Sequence, residues 1–125
     1  MPPFKILLVD DSRTMRQVLR THLMAKGYEF FEAESGRRAI EILEADKVDL
    51  VISDVRMSDV DGIELVREIR RREPLGGRIA TILISGDHSP AVRARSFIAG
   101  ADEFLEKPLD SEKLESVVAE LLKDR

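Results

Sequence analysis

The chain has 125 residues, a net charge of −4 and no cysteine, with 43% hydrophobic and 35% charged residues. That is the length of one domain with a real core, and it excludes a disulfide framework, a thiolate metal centre and the usual basic nucleic-acid surface. No apolar run approaches the ~18 residues of a membrane span, and Met1 to Lys5 lacks the pattern of a secretion signal, so a cytoplasmic protein is expected.

Strand and helix signals alternate along the chain. Residues 5–9, with Ile6-Leu7-Leu8-Val9, read as a first strand that closes on Asp10-Asp11. Ser12 is a good N-cap for a helix carrying Met15, Val18, Leu19 and Leu23 at helical spacing, with Gly27 as its stop. A short strand follows over residues 28–33, then a helix over about 36–45 with Ala39, Ile40 and Leu43 as its buried stripe. Residues 48–54 form a third strand ending on Asp54, and Gly62 opens a helix that turns Ile63, Val66 and Ile69 to the core. Arg70-Arg71-Arg72 reads as a solvated helix end favoured by the helix dipole. Residues 74–77 read as a loop. A fourth strand over 79–84 ends on Ser85-Gly86, and a helix runs from Ser89-Pro90 to Gly100. A fifth strand, Glu103-Phe104-Leu105, ends at Glu106-Lys107-Pro108. The last helix begins near Asp110 and places Leu114, Val117, Val118 and Leu121 at i, i+3, i+4, i+7.

Five strand–helix units in strict alternation imply a single α/β domain over residues 1–125, with a parallel sheet covered on both faces. The flavodoxin-like (βα)5 arrangement, strand order 2-1-3-4-5, is the expected topology. Right-handed crossovers put every strand's carboxyl end on one edge. Strands one and three are then neighbours, so Asp10, Asp11 and Asp54 converge where open α/β sheets place their chemistry. Ser85 and Lys107 arrive from strands four and five. Three carboxylates in one crevice repel unless a positive group joins them, and Mg²⁺ suits such oxygen ligands. A carboxylate nucleophile, a hard cation, a lysine and a hydroxyl together suit phosphoryl transfer.

These residues, with Met57, Gly62, Gly86 and Pro108 in order and at fitting spacings, closely resemble the receiver domain of two-component response regulators. The resemblance covers essentially the whole chain. It implies that Asp54 accepts a phosphoryl group from a sensor histidine kinase or phosphotransfer protein. It implies Mg²⁺ on Asp10, Asp11, Asp54 and the backbone carbonyl of Arg56, and Ser85 and Lys107 on the phosphoryl group. It also implies a cis Lys107-Pro108 bond and a switch in which Ser85 moves while Phe104 turns inward. A target protein would then bind the face formed by the fourth helix, fifth strand and fifth helix, where Arg93 or Arg95 is expected. The implied protein is a monomer or weak dimer with no direct contact to nucleic acid or membrane, and not an enzyme beyond its own phosphorylation and dephosphorylation.

Three departures stand out: Ser58 where the family often has proline, Gly86 for a commoner alanine, and Phe104 without a tyrosine's hydroxyl. Arg56 and Asp87, each two residues beyond a site residue, are expected to flank the phosphoryl pocket and pair across its mouth. A flavin-binding reading fails because Asp10-Asp11 would repel the flavin phosphate. A haloacid-dehalogenase-type phosphatase would carry Asp-x-Asp after the first strand, not adjacent acids. A phosphorylation-independent interaction module is the serious rival. The Asp10–Arg16 stretch looks like that of chemotaxis-type single-domain regulators, and with no effector segment after the last helix, output through protein contact is the expectation. The alternative is a receiver excised from a larger regulator.

Overall fold

Ile6, Leu7, Leu8 and Val9 are all fully buried, so the first strand must be covered on both faces. In the computed structural model, which describes residues 3–73 and 78–123, that strand lies inside the sheet. The loop read at 74–77 lies outside the described residues. The elements are β1 Lys5–Val9, α1 Arg13–Leu23, β2 Glu29–Ala33, α2 Gly36–Ala45, β3 Leu50–Asp54, α3 Gly62–Arg72, β4 Ala80–Ser85, α4 Pro90–Ala99, β5 Glu103–Glu106 and α5 Ser111–Leu122. All neighbouring strands pair in parallel, in the order β2-β1-β3-β4-β5. This is the expected flavodoxin-like topology.

The pleat assigns the core. Ile6, Leu8, Leu50, Ile52, Ile82 and Ile84 face one side and meet Leu19 and Leu23 of α1 and Leu114, Val118 and Leu122 of α5. Leu7, Val9 and Val51 face the other and meet Ala39 and Ile42 of α2 and Leu65 and Ile69 of α3. Leu83 and Phe104 continue that second face beneath Ile63, Val66 and Ala99. Each α-helix begins after a Ser or Asp whose side chain accepts a first-turn N–H: Ser12, Ser35, Asp61, Ser89 and Asp110. Such caps satisfy donors the helix cannot bond internally, at about 1 kcal/mol each.

Two sequence expectations need correction. In α2 the buried positions are Gly36, Ala39 and Ile42, while Ile40 and Leu43 pack half-buried at its flank. Shifting the stripe brings Ile42, one turn after Ala39, squarely onto the sheet. The Arg70-Arg71-Arg72 run is also not uniformly solvated. Arg71 and Arg72 are exposed, paired with Glu68 and Glu44. Arg70 instead follows Ile63 and Val66 at i+7 and i+4, which turns it inward. Its Nε donates to the Gly100 carbonyl at 2.9 Å, and Nη1 to the Ile79 carbonyl at 2.7 Å and Glu73 at 2.9 Å. Nη2 donates to Thr81 Oγ1 at 2.8 Å and to Asp102 at 3.0 Å. This network closes the sheet edge opposite the strand carboxyl ends.

Candidate functional site

Register brings the acids together. Val9 pairs with Ser53 and Asp54 with Ile84, so the residues that follow β1, β3 and β4 meet at one edge. Asp54 is held on both oxygens: Oδ1 accepts the Arg56 N–H at 3.0 Å and Oδ2 accepts Lys107 Nζ at 2.7 Å. Gly62 is required beside it, because a Cβ there would fall 2.2 Å from the Asp54 carbonyl oxygen. No side chain other than hydrogen allows α3 to start that close to the strand end.

Asp10 is buried, and its Oδ1 accepts the Ser12 N–H at 2.8 Å. Its carboxyl is raised to about 6, mainly by burial and further by the Asp54 charge, against the opposing pull of the Ser12 N–H and Lys107. Two carboxylates thus share one low-dielectric corner with a single lysine. Asp11 is exposed and lines a cavity of ≈ 510 Å³ together with Arg56, Ser85, Asp87 and Arg95.

The Ser85 hydroxyl is buried, and it is turned into its own loop rather than onto Asp54. It donates to the Asp87 carbonyl at 3.1 Å and accepts the Asp87 N–H at 2.9 Å. Its backbone carbonyl accepts the Lys107 N–H at 2.9 Å, which ties β4 to the residue after β5. The Lys107-Pro108 bond is cis. His88 Nε2 lies 2.9 Å from the Lys107 carbonyl; a carbonyl only accepts, so Nε2 carries the hydrogen.

Arg56 and Asp87 line the same cavity. Asp87 is held below the usual carboxylate range, first by the Ser89 backbone N–H, then by the Ser89 side chain, and also by the Arg56 charge. No direct ion pair joins the two among the described residues. Phe104 is buried among Ile63, Val66, Leu83, Ala99 and Ala101. The Arg93 guanidinium lies over both the Phe97 ring, at 5.2 Å, and the Phe104 ring, at 5.8 Å. Arg93 therefore belongs to the α4–β5 face, and Arg95 to the cavity.

Sequence reasoning missed three residues that hold this edge. Asp59 accepts the N–H groups of Gly36 and Arg37 at 3.2 and 3.0 Å, so it anchors the loop after β3 to the start of α2. Burial pushes its carboxyl up, but the N–H groups of Arg37, Val60 and Gly36 outweigh this and hold it low. His88 is the second. Arg16 is the third: Nη1 donates to the Asp10 carbonyl at 2.7 Å and Nε to Glu32 at 2.9 Å. Its signal was present, since Arg16 stands three residues before Leu19 and seven before Leu23, on the buried face of α1.

A cation fits the donor set. Asp10 and Asp54 bring two carboxylates to one corner, where the Asp10 carboxyl is raised chiefly by burial and further by the Asp54 charge. Among the described residues Asp10, Asp11 and Asp54 do not gather as a group of three acidic ligands. Asp10 and Asp54 are the pair that offers oxygen ligands, and a hard cation such as Mg²⁺ takes one or two carboxylates with waters.

The response regulator receiver domain pattern matches residues 6–119. The chain belongs to this family. The receiver domain is 35% identical over 121 residues to the response regulator MprA of Mycolicibacterium vanbaalenii, covering 97% of this chain and 51% of that protein. Its structure is similar to Vibrio cholerae chemotaxis protein CheY4, with TM-score 0.88, 30% identity and coverage of 97% and 100%. It is equally similar to the receiver domain of a Syntrophus aciditrophicus signal transduction histidine kinase, with TM-score 0.88, 36% identity and coverage of 97% and 91%. The chain spans about half the length or less of the curated relatives it matches first. Among the described residues no helix is long and apolar enough to cross a membrane.

Proposed function

We propose that this receiver domain is a phosphorylation-activated switch in which Asp54 accepts a phosphoryl group from the phosphohistidine of a histidine kinase or phosphotransfer protein. The observation that carries the reading is the Lys107 Nζ–Asp54 Oδ2 contact of 2.7 Å beside the buried Asp10. An Asp54 oxygen attacks phosphorus in line, the P–N bond breaks, and the departing imidazole keeps that electron pair. Lys107 exchanges Asp54 Oδ2 for a phosphoryl oxygen. The Ser85 hydroxyl leaves the Asp87 backbone and donates to another phosphoryl oxygen. Asp10, Asp11, Asp54 and the Arg56 carbonyl would hold Mg²⁺, which supplies charge neutralisation at the phosphoryl oxygens. Hydrolysis of the acyl phosphate resets the domain, and this self-modification is its only proposed chemistry.

Output follows from the Ser85 movement, because that hydroxyl now fixes the start of the β4–α4 loop. The neighbouring α4–β5 face carries exposed Phe97 with Arg93 over its ring and over that of Phe104, which suits a protein target. Intact-mass measurement after incubation with a small-molecule phosphodonor tests the reading. The expected result is a Mg²⁺-dependent addition of one phosphoryl group that Asp54→Asn abolishes. No addition to folded, Mg²⁺-bound protein would put a phosphorylation-independent interaction module first.

A further inference from the structure

We propose that Arg16 is a positioning residue for the acidic metal site, fixing the Asp10–Asp11 peptide from behind through Glu32. The inference rests on reading Asp10 and Asp11 as Mg²⁺ ligands. The carbonyl of Asp10 belongs to the peptide plane that joins the two acids, so its orientation sets the directions in which both side chains leave the backbone. Among the described residues three bonds fix that turn. The Asp10 N–H donates to the Ala33 carbonyl of β2 at 3.1 Å. The Asp10 side chain accepts the Ser12 N–H at 2.8 Å, and the Asp10 carbonyl accepts Arg16 Nη1 at 2.7 Å. Only the last comes from a charged donor, and only it reaches the peptide between the acids.

Arg16 is itself aimed. Its side chain is 13% exposed, and Nε donates to Glu32 Oε1 at 2.9 Å. Glu32 Oε2 accepts Arg20 Nη1 at 3.1 Å, so the carboxylate is braced on both oxygens. A guanidinium can serve a carboxylate and a carbonyl together through its rigid fork, which a lysine ammonium cannot reproduce. Arg16 thus reaches the turn at the Asp10 backbone carbonyl rather than at either carboxylate. Outer partners of this kind commonly change metal affinity by about 10–100-fold when removed.

The test is calorimetric titration of MgCl₂ into the wild-type chain and the variants Arg16→Gln and Glu32→Gln, with thermal melting as the check of folding. Arg16→Gln is expected to weaken Mg²⁺ binding roughly tenfold, and Glu32→Gln to weaken it less but in the same direction. Phosphorylation by a small-molecule donor should shift to higher Mg²⁺ concentration in the variant and recover at saturation, which a general loss of structure would not allow. Folded Arg16→Gln with wild-type Mg²⁺ affinity overturns the proposal. If Arg16→Gln does not fold, Glu32→Gln decides by the same criterion. A wild-type chain that binds no Mg²⁺ overturns the underlying reading of the site, and that result is distinct from a loss confined to the variants.

Discussion

Lys107 Nζ lies 2.7 Å from Asp54 Oδ2, so the cation that would later face a phosphoryl oxygen now neutralises the acceptor carboxylate. The same positive charge opposes any second cation drawn to Asp10 and Asp54. Lys107→Met should therefore tighten Mg²⁺ binding several-fold while slowing phosphorylation by at least about tenfold, since phosphoryl transfer depends on charge stabilisation. Calorimetry and a mass-spectrometric time course separate the two effects. Unchanged Mg²⁺ affinity would mean that Lys107 does not compete with the metal.

Asp10 predicts an unusual pH dependence. Its carboxyl is raised from 3.8 to about 6, first by burial and then by the Asp54 charge. The native state therefore binds the proton more tightly than the unfolded chain. Between about pH 4 and 6 the native state holds more protons, so this group's contribution to stability falls as pH rises and is lost above 6. Metal-free protein should lose roughly 2–3 kcal/mol from this source between those limits, and Asp10→Asn should remove that slope. Urea unfolding at pH 5 and pH 7, with and without Mg²⁺, is the measurement. Mg²⁺ should stabilise the wild-type chain more at pH 7 than at pH 5.

The alternation of strand and helix was legible because β1, β3 and β4 are apolar runs closed by a polar residue and three of the helices open on a Ser or Asp that the sequence offers as a cap, Ser12, Ser89 and Asp110. From that alternation the sheet order followed, and with it the meeting of Asp10, Asp54, Ser85 and Lys107 at one edge. What sequence did not reveal is which polar side chains turn inward. Arg70 and Arg71 are adjacent and chemically identical, yet one bonds three strand and helix termini and the other lies in solvent. That difference depends on helix phase to within one residue, finer than a charge run can report. Asp59 escaped notice for a related reason. Its partners are backbone N–H groups of a distant helix, and these leave no mark on composition.

The Arg70 network yields a stability prediction. Removing its guanidinium would leave Asp102, Glu73, Thr81 and two carbonyls with unmet or poorly met partners in a half-buried place. Arg70→Ala should cost about 3 kcal/mol, and Arg71→Ala no more than about 0.5 kcal/mol. Denaturant titration of the pair would show it, and equal losses would reduce the network to a surface ornament.

Gly86 stands at the end of β4 in a position where an added Cβ would meet only Lys107 Cδ, at 4.0 Å, and its backbone φ is not in the left-handed region. An alanine can therefore adopt the native conformation. Gly86→Ala should raise stability by about 0.4–1 kcal/mol by restricting the unfolded chain. It should also leave Asp54 phosphorylation intact. A lower melting temperature would mean that the loop needs the glycine in a conformation other than this one.

Arg56 and Asp87 line one cavity with Ser85, near enough for the Arg56 charge to help hold the Asp87 carboxyl low, yet without a direct ion pair among the described residues. The two charges are therefore available to pair when the pocket is filled. A phosphoryl group on Asp54 would bring negative charge toward Arg56 and draw Ser85 away from the Asp87 backbone, freeing both side chains to move. A pair closed across the mouth would then stand in the line that water needs to reach the phosphorus. Each of Arg56→Ala and Asp87→Ala should shorten the lifetime of the aspartyl phosphate several-fold. The double variant should do little more than either alone, because residues that act as a unit are not additive. Stability should hardly change, since exposed, solvent-screened charges contribute little to it. Loss of the phosphorylated mass over time, after removal of the donor, gives the rates directly. Rates equal to wild type in both single variants would reduce the two residues to independently solvated side chains.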